Sequence, residues 1–561
     1  MASRTLERRG SPSSSIARWS KSAYRAIAAR AARFRFRRAF RRIVTTQLRD
    51  LVRTRRSRRT GPVILVASTK VAAKQVALAH FCTALALRGG AQILAFAAER
   101  SIPRDGHRSK PGRGVPEALR LSAQFADRSA VLRPSGQQRQ RAGEIVADFL
   151  RDPSPQALER YEVDGVLIGD LVYDEYLNIG HVTVDFADRV LRELLELMTR
   201  DVLLLLELMA RENVVAVVGQ HLAFRKGVPL RVAVERGVAA YCIAYPGSHK
   251  LDKENPRPHE EWRHDPETVS ALTPEEQSQA RARAQEYIAE NILGGGHRHA
   301  PDLSGRGAWR KTVDAEASPS RNDPRSRRDH DTKRILVAVH SFTDSPHVKG
   351  SGLFPDYYLW VEHLAGLAER TDYQWLVKPH PDQRDNLFGA TERLQEVIAP
   401  VPNMQLLDPS VSHRQLLGDG LDLVLTMYGT IGFEMPLFGV PAITALPNNP
   451  HQRFSYCLHP QSVEDYDRLL LDPTRWNYPI DRDEILTYAY LRYLHLETPV
   501  AIQEVAKRRL SGNHKEGGAY FQEWLRQVNA SDTKAILADY SAWIDDGSYS
   551  HREFLARRRP R

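Results

Sequence analysis

The sequence predicts an α/β protein of two parallel-sheet domains facing a cleft, with a basic helical arm before them and a helical tail behind. Three observations predict it. A buried-strand run, a helix and a second strand follow one another from Val63; a similar series starts again at Ile335; between them the composition changes. In residues 294–333 only Leu303, Trp309 and Val313 are large and apolar, among many Arg, Asp, Ser and Pro, so this stretch reads as a flexible linker or insertion. The chain has 561 residues, more than one ordinary core accommodates. Its 42% hydrophobic and 26% charged content suits a globular protein and excludes disorder throughout.

The first series opens on Val63 to Ala67, continues as a helix from Ala72 to Leu87 closed by Gly89-Gly90, and returns as a strand over Ala91 to Ala97. A third strand is expected at Gly165 to Gly169 and a long amphipathic helix over Asp188 to Glu212. A fourth strand, Val214 to Val218, leads into Gln220-His221, and a fifth covers Ala239 to Ala244. Thr273-Pro274-Glu275-Glu276 carries an N-cap, a first-turn proline and two acids favourable to the helix dipole. The second series has strands at Ile335 to Val339, Gln374 to Val377, Met404 to Leu407, Leu421 to Leu425 and Ala442 to Thr444. From Pro499 onward the chain reads as helical and ends in a basic tail. The expected divisions are therefore 1–60, 61–293, 294–333, 334–498 and 499–561.

Charge is concentrated at one end. Residues 1–60 hold nineteen Arg and Lys against Glu7 and Asp50, a local +17 within a whole-chain net of +12, which leaves −5 for everything else. Nucleic-acid binding by the body is therefore not expected. Between Ile16 and Val52, Trp19, Ile27, Phe34, Phe40, Ile43 and Leu48 are interleaved with Arg at roughly helical spacing, as in a basic amphipathic helix lying on anionic lipid. A solvated disordered tail is the competing reading. No apolar run reaches the roughly 18 residues a bilayer span needs; the nearest, Val202 to Ala210, contains Glu207. Arg and Ser interrupt the N-terminus where a secretory signal would be apolar, so a cytoplasmic protein at the inner face of a membrane is expected, with an Arg-rich mitochondrial transit peptide as the rival reading. Cys82, Cys242 and Cys457 form no CxxC pair, which argues against a disulfide framework or a zinc site and suits a reducing compartment.

Ligands of open parallel sheets bind beyond the carboxyl ends of strands, so the polar residues just after each strand are the candidates. His340, Ser341 and Asp344 follow one strand, Lys378, His380 and Pro381 another, and Thr426, Tyr428, Gly429 and Thr430 a third. Lys378 and His380 offer a fixed charge and an imidazole donor on a turn stiffened by two prolines, which suits a phosphate. Tyr428-Gly429-Thr430 opens a helix whose free N–H groups favour an anion, and Glu434, one turn on, is placed to accept from ribose hydroxyls or is an ordinary helix acid. In the first series Asp170, Asp174 and His221 follow strands and are the candidates for a base; a helix cap for Asp174 and an interior histidine for His221 are the bland alternatives. The DxD Asp329-His330-Asp331 falls in the polar linker, where a solvated charge cluster is the simpler reading than a metal site.

Lys378-Pro379-His380-Pro381, Thr426 through Glu434 and Gly439-Val440-Pro441-Ala442 together resemble the C-terminal half of GT-B glycosyltransferases. The resemblance is to the capsule and surface polysaccharide biosynthesis family that includes bacterial Kdo transferases. His340 through His347 and Ile168 through Tyr176 are similar to the same group, so the likeness spans about residues 61–290 and 334–470. It implies two Rossmann-like domains in a GT-B-like pair, a nucleotide sugar on the C-terminal domain, a glycan or glycolipid acceptor on the N-terminal one, and no bound metal or other cofactor. An HP motif is shared with CMP-sialic-acid and CDP-glycerol transferases, which favours a CMP-linked donor such as CMP-Kdo and leaves UDP and GDP sugars open. The arm would bring the enzyme to a lipid-linked acceptor and to polysaccharide assembly or export proteins. A CDP-polyol phosphotransferase and a non-catalytic, membrane-recruited assembly factor are the alternatives.

Overall fold

A computed structural model describes residues 61–69, 72–98, 115–243, 248–256, 265–293, 332–380, 389–495 and 533–558, with Arg41, Leu48, Leu51 and Trp309 as isolated positions. The amphipathic reading of the arm, the DxD of the linker and Pro381 lie outside the described residues.

The first body is built on strands β1 (Val63–Ala67), β2 (Gln92–Ala98), β3 (Arg128–Leu132), β4 (Glu162–Val163), β5 (Val166–Leu167), β6 (Val214–Gly219), β7 (Ala239–Ile243) and β8 (Ser248–Leu251). Its helices include α1 (Ala72–Gly89), α2 (Gly169–Asn178) and α3 (Arg189–Arg211). The main sheet runs β3-β2-β1-β6-β7-β8, parallel except for β8, which returns antiparallel on β7. Strand alternation divides the core between two faces. Val63 and Leu65 pack with Leu194 and Met198 of α3, while Ile64 and Val66 pack with Phe81 and Cys82 of α1. Each such side chain contributes roughly 1.5–3 kcal/mol by leaving water.

The expected strand at 165–169 is a correction. The residues form half of a two-stranded antiparallel hairpin, β4 with β5, apart from the main sheet. Asp164 (φ 52°) and Gly165 (φ 80°) make its two-residue turn, which needs two positive φ angles. The Asp-Gly between Val163 and Val166 was the signal for it. Asp170 and Asp174 therefore lie on α2, not in a strand-end loop. Position 169, where the helix starts, requires glycine because a Cβ there would stand 1.7 Å from the Leu158 carbonyl oxygen.

The second body carries helix α4 (Pro274–Tyr287) and strands β9 (Arg334–Ala338), β10 (Gln374–Lys378), β11 (Met404–Leu406), β12 (Leu423–Thr426) and β13 (Ala442–Thr444). Between and after these strands run α5 (Tyr357–Ala368), α6 (His413–Asp419), α7 (Ile431–Glu434) and α8 (Arg482–Tyr490). The sheet is parallel in the order β11-β10-β9-β12-β13. Both sheets thus reverse direction next to their first strand, at β1/β6 and at β9/β12, in the Rossmann manner. The fold is two Rossmann-like domains.

Two segments pack across the expected boundaries. Helix α4 has the expected N-cap at Thr273 and first-turn Pro274, with Glu276 completing a capping box, yet Ala284, Tyr287 and the following Ile288 and Ile292 bury against Leu336, Val424 and Ile485 of the second body. In the other direction α9 (Thr533–Asp545) returns to the first body, where Tyr540 and Trp543 stand 5.3 and 5.8 Å from the Phe81 ring. Just beyond it Lys250 N–H donates to Tyr549 O at 2.9 Å. Leu48 of the expected arm is 0% exposed and belongs to the same cluster, so this residue is part of the core and not of an attachment surface.

The bodies meet through α2 and the loops after β9. Asp356, which caps α5 by accepting from Leu359 N–H at 2.8 Å, also accepts from Tyr173 Oη at 2.6 Å and Thr183 Oγ1 at 2.7 Å. Asn178 Nδ2 donates to Thr343 O at 3.2 Å, and Val182 joins the apolar cluster of the second body beside Phe342.

Candidate functional site

The reversal point of the second sheet assembles a compact polar group. His340, two residues past β9, sets Nε2 3.3 Å from Thr426 Oγ1 at the end of β12. The Thr426 hydroxyl oxygen also accepts from Gly429 N–H at 3.0 Å. A Cβ on Gly429 would stand 2.8 Å from that oxygen and 3.4 Å from His340 Nε2, so glycine is what allows the chain to pass. The His340 ring stacks on Tyr357 with 5.0 Å between centroids and lies 4.4 Å from Tyr428, and the two phenols bond each other at 2.8 Å. Burial, reinforced by nearby His380 and Lys349, pushes the His340 imidazole well below its usual pKa, so it is neutral at pH 7. Burial likewise raises both tyrosines and keeps them as phenols.

The structure therefore brings His340, Thr426, Tyr428 and Gly429 together, with His380 half-buried beside them. Ser341 and Asp344 sit in the turn after β9: Ser341 Oγ bonds Thr343 Oγ1 at 3.1 Å, and exposed Asp344 accepts from Ser345 N–H at 2.9 Å. Lys378 is buried and donates to Pro409 O at 3.4 Å, toward α6. The helix opened by Thr430 has only four residues, and Gly429 N–H is already bonded to Thr426, so the expected row of N–H donors is not formed by that residue. Glu434 is another correction. Its carboxylate is buried, accepts from Trp309 Nε1 at 2.7 Å and has His413 Nδ1 3.6 Å away. Burial works against its charge, but His413, Thr430 and Trp309 around it outweigh that and hold it below the usual carboxylate value. Its carboxylate is thus engaged inside the second body.

On the first body the three base candidates are differently occupied. Asp170 is buried in an ion pair with Arg231 Nη2 at 2.5 Å and also accepts from Leu171 N–H at 3.0 Å. Asp174, 1% exposed, is 2.7 Å from His347 Nδ1, across the junction of the bodies. Burial raises the Asp174 carboxyl to about 6. For His347 burial pulls downward, but Asp174 and Glu159 prevail and raise it to about 10, so the pair is ionic at pH 7. Neither carboxylate is placed to take a proton from an acceptor. His221 is half-buried at the end of β6, with Nδ1 accepting from Ala223 N–H at 3.1 Å. A neutral ring so held carries its proton on Nε2, making it a donor there.

His347, which ends the motif begun by His340, and Lys349 make contacts that the sequence did not single out. Nothing in their spacing marks them, because their partners, Asp174 and Tyr428, are far away in sequence. The ion pair has a pH signature. A raised histidine stabilises the fold fully below its unfolded value of about 6.5, and that contribution is lost as pH rises through about 10. Asp174, also raised, acts in the same direction at lower pH. The melting-temperature advantage of the native chain over His347→Gln should shrink between pH 7 and pH 10.5; an advantage independent of pH would count against the ionic pair.

No family model matches the chain, and no curated protein matches it. Solved structures do. The UDP-GlcNAc 2-epimerase of Neisseria meningitidis, bound to UDP-GlcNAc, is 12% identical over 76% of this chain and 97% of its own, with a TM-score of 0.24. The glycosyltransferase VinC in complex with dTDP is 11% identical over 84% and 100%, at 0.21, and a glycosyltransferase of kitacinnamycin is 11% identical over 83% and 100%, at 0.19. At that level of superposition the likeness adds nothing to the strand orders above, which carry the architecture by themselves.

Among the described residues no group of three or more His, Cys, Asp or Glu is arranged to hold a metal ion, and no helix is long and apolar enough to cross a membrane.

Proposed function

We propose that the protein is a glycosyltransferase of bacterial surface polysaccharide assembly that takes a nucleotide sugar, with a CMP-linked sugar such as CMP-Kdo the favoured donor, to a glycan or glycolipid acceptor. The observation that carries the reading is the meeting of His340, Thr426 and Gly429, with His380 beside them, at the reversal point of the second sheet. Departure of a nucleoside phosphate builds negative charge on its oxygens, and fixed donors act most where charge develops. His380 and neutral His340 have that role. On the acceptor side His221 is retained: it would orient a hydroxyl by donating from Nε2, and would take a proton only after Nδ1 releases Ala223.

A panel of CMP, UDP and GDP sugars and CDP-polyols, assayed for released nucleotide with a lipid-linked acceptor, tests the reading. Release from a CMP sugar is expected. Turnover of a CDP-polyol instead would make the chain a polyol phosphotransferase, and no turnover with any donor would leave it an assembly factor.

The arm is proposed to hold the enzyme at anionic lipid, peripheral to the inner membrane on the cytoplasmic side. Because Leu48 is core, the informative truncation removes residues 1–40 and not the whole basic stretch. It should abolish salt-sensitive sedimentation with anionic vesicles and spare turnover on a soluble acceptor. Equal sedimentation of the truncated chain would place the membrane contact elsewhere.

A further inference from the structure

We propose, resting on the donor-site reading above, that Lys349 is the cation that meets the phosphate of the bound nucleotide and that Asp174 of the other body positions it. Lys349 closes the short 3-10 turn Pro346–Lys349. Asp174 Oδ1 holds that turn at two points, the His347 ring at 2.7 Å and the His347 backbone N–H at 3.4 Å. On the far side Asn448 Nδ2 donates to Lys349 O at 2.7 Å, and Gly350 then turns the chain away at φ 96°. The turn is thus fastened to both bodies.

So held, Lys349 Nζ lies 3.2 Å from the centroid of the Tyr428 ring, which also has His340 at 4.4 Å. The side chain is buried at the reversal point of the sheet, beside the groups that define the crevice. Burial lowers its proton affinity strongly and Arg492 adds repulsion, against which stands the exposed carboxylate of Asp344. Arg492 is itself packed on Tyr493 and Tyr488, at 5.4 and 5.9 Å. His380 and Lys349 together act on His340 in the same sense. Buried Lys349 and Arg492 therefore repel each other, and half-buried His380 bears on His340 beside them, an arrangement that an anion relieves. The phosphate of a nucleoside mono- or diphosphate is the anion that a sheet-end crevice accommodates.

Asp174 then acts through the turn and not on the acceptor. Parting the bodies would break the Asp174–His347 pair and free the turn, so nucleotide binding and domain docking are linked. Asp174 is a positioning residue.

The test is calorimetric titration of the full chain with CMP, CDP, UDP and GDP, alongside a thermal melt for each variant. Lys349→Met and Lys349→Gln are expected to weaken binding about tenfold or more while the melt stays close to native. Asp174→Asn and His347→Gln should each weaken it by a smaller factor, and Asp174→Asn combined with Lys349→Met should bind no worse than Lys349→Met alone. Folded Lys349 variants that bind within about twofold of the native chain would overturn the cation assignment while the donor-site reading stands. Losses that multiply in the double variant would overturn the positioning role, because a merely structural Asp174 acts independently of Lys349. A native chain that binds none of the four nucleotides would overturn the donor-site reading and this inference with it.

Discussion

Asp170→Ala is expected to cost about 3–5 kcal/mol of stability, because it leaves the Arg231 guanidinium buried without its counter-charge. The side chains of Asp170 and Arg231 are 4% and 11% exposed, and the pair is 2.5 Å apart. The same change at an exposed acid stays within about 0.5 kcal/mol. Magnitude therefore separates the two roles open to this residue. A catalytic base removed from a cleft costs turnover and little stability, whereas half of a buried ion pair costs the fold. Replacing both partners, Asp170→Leu with Arg231→Met, should recover much of the loss, since an apolar pair of similar volume avoids the desolvation penalty altogether. Denaturant unfolding with unchanged slope measures the difference. If Asp170→Ala kept native stability and lost turnover, Asp170 would be restored as the base.

Most parallel strands of both sheets were legible because they are apolar runs between polar turns. Strand β3, Arg128–Leu132, was not, since its exposed and half-buried residues form no such run. The local cap also read true: the Thr273 side chain accepts from Glu276 N–H at the start of α4. What local pattern does not specify is the partner. An amphipathic helix needs an apolar surface, and nothing in residues 274–287 says that the surface belongs to the second body, or in residues 533–545 that it belongs to the first. The candidate site divides in the same way. His340, Thr426 and Gly429 were found because strand ends converge by topology. The partners of Asp170, Asp174 and Glu434 were not legible, because an acid after a strand and an acid inside an ion pair look alike until Arg231, His347 and Trp309 are seen beside them. The Asp174–His347 pair spans 173 residues of sequence, beyond the reach of any spacing argument.

Alanine at His380 is expected to lower donor turnover at least about tenfold, a loss of about 1.4 kcal/mol in transition-state stabilisation, with the fold intact. Of the two polar side chains in the Lys378-Pro379-His380 turn, the lysine is buried and donates to Pro409 O, whereas the half-buried imidazole is near enough to bear on His340 at the crevice. Lys378 anchors the turn, and His380 is the side chain proposed to meet the donor phosphate. Removing a half-buried imidazole leaves no buried charge unpaired, so the melt should move little. Glu434→Gln supplies the contrast. It removes the charge set among Trp309, His413 and Thr430, and its effect should fall on stability and spare nucleotide affinity. Steady-state turnover, nucleotide titration and a melt on both variants separate the outcomes. Unchanged turnover in folded His380→Ala would remove His380 from the donor site, and lost nucleotide affinity in a stable Glu434→Gln would return that carboxylate to the ribose.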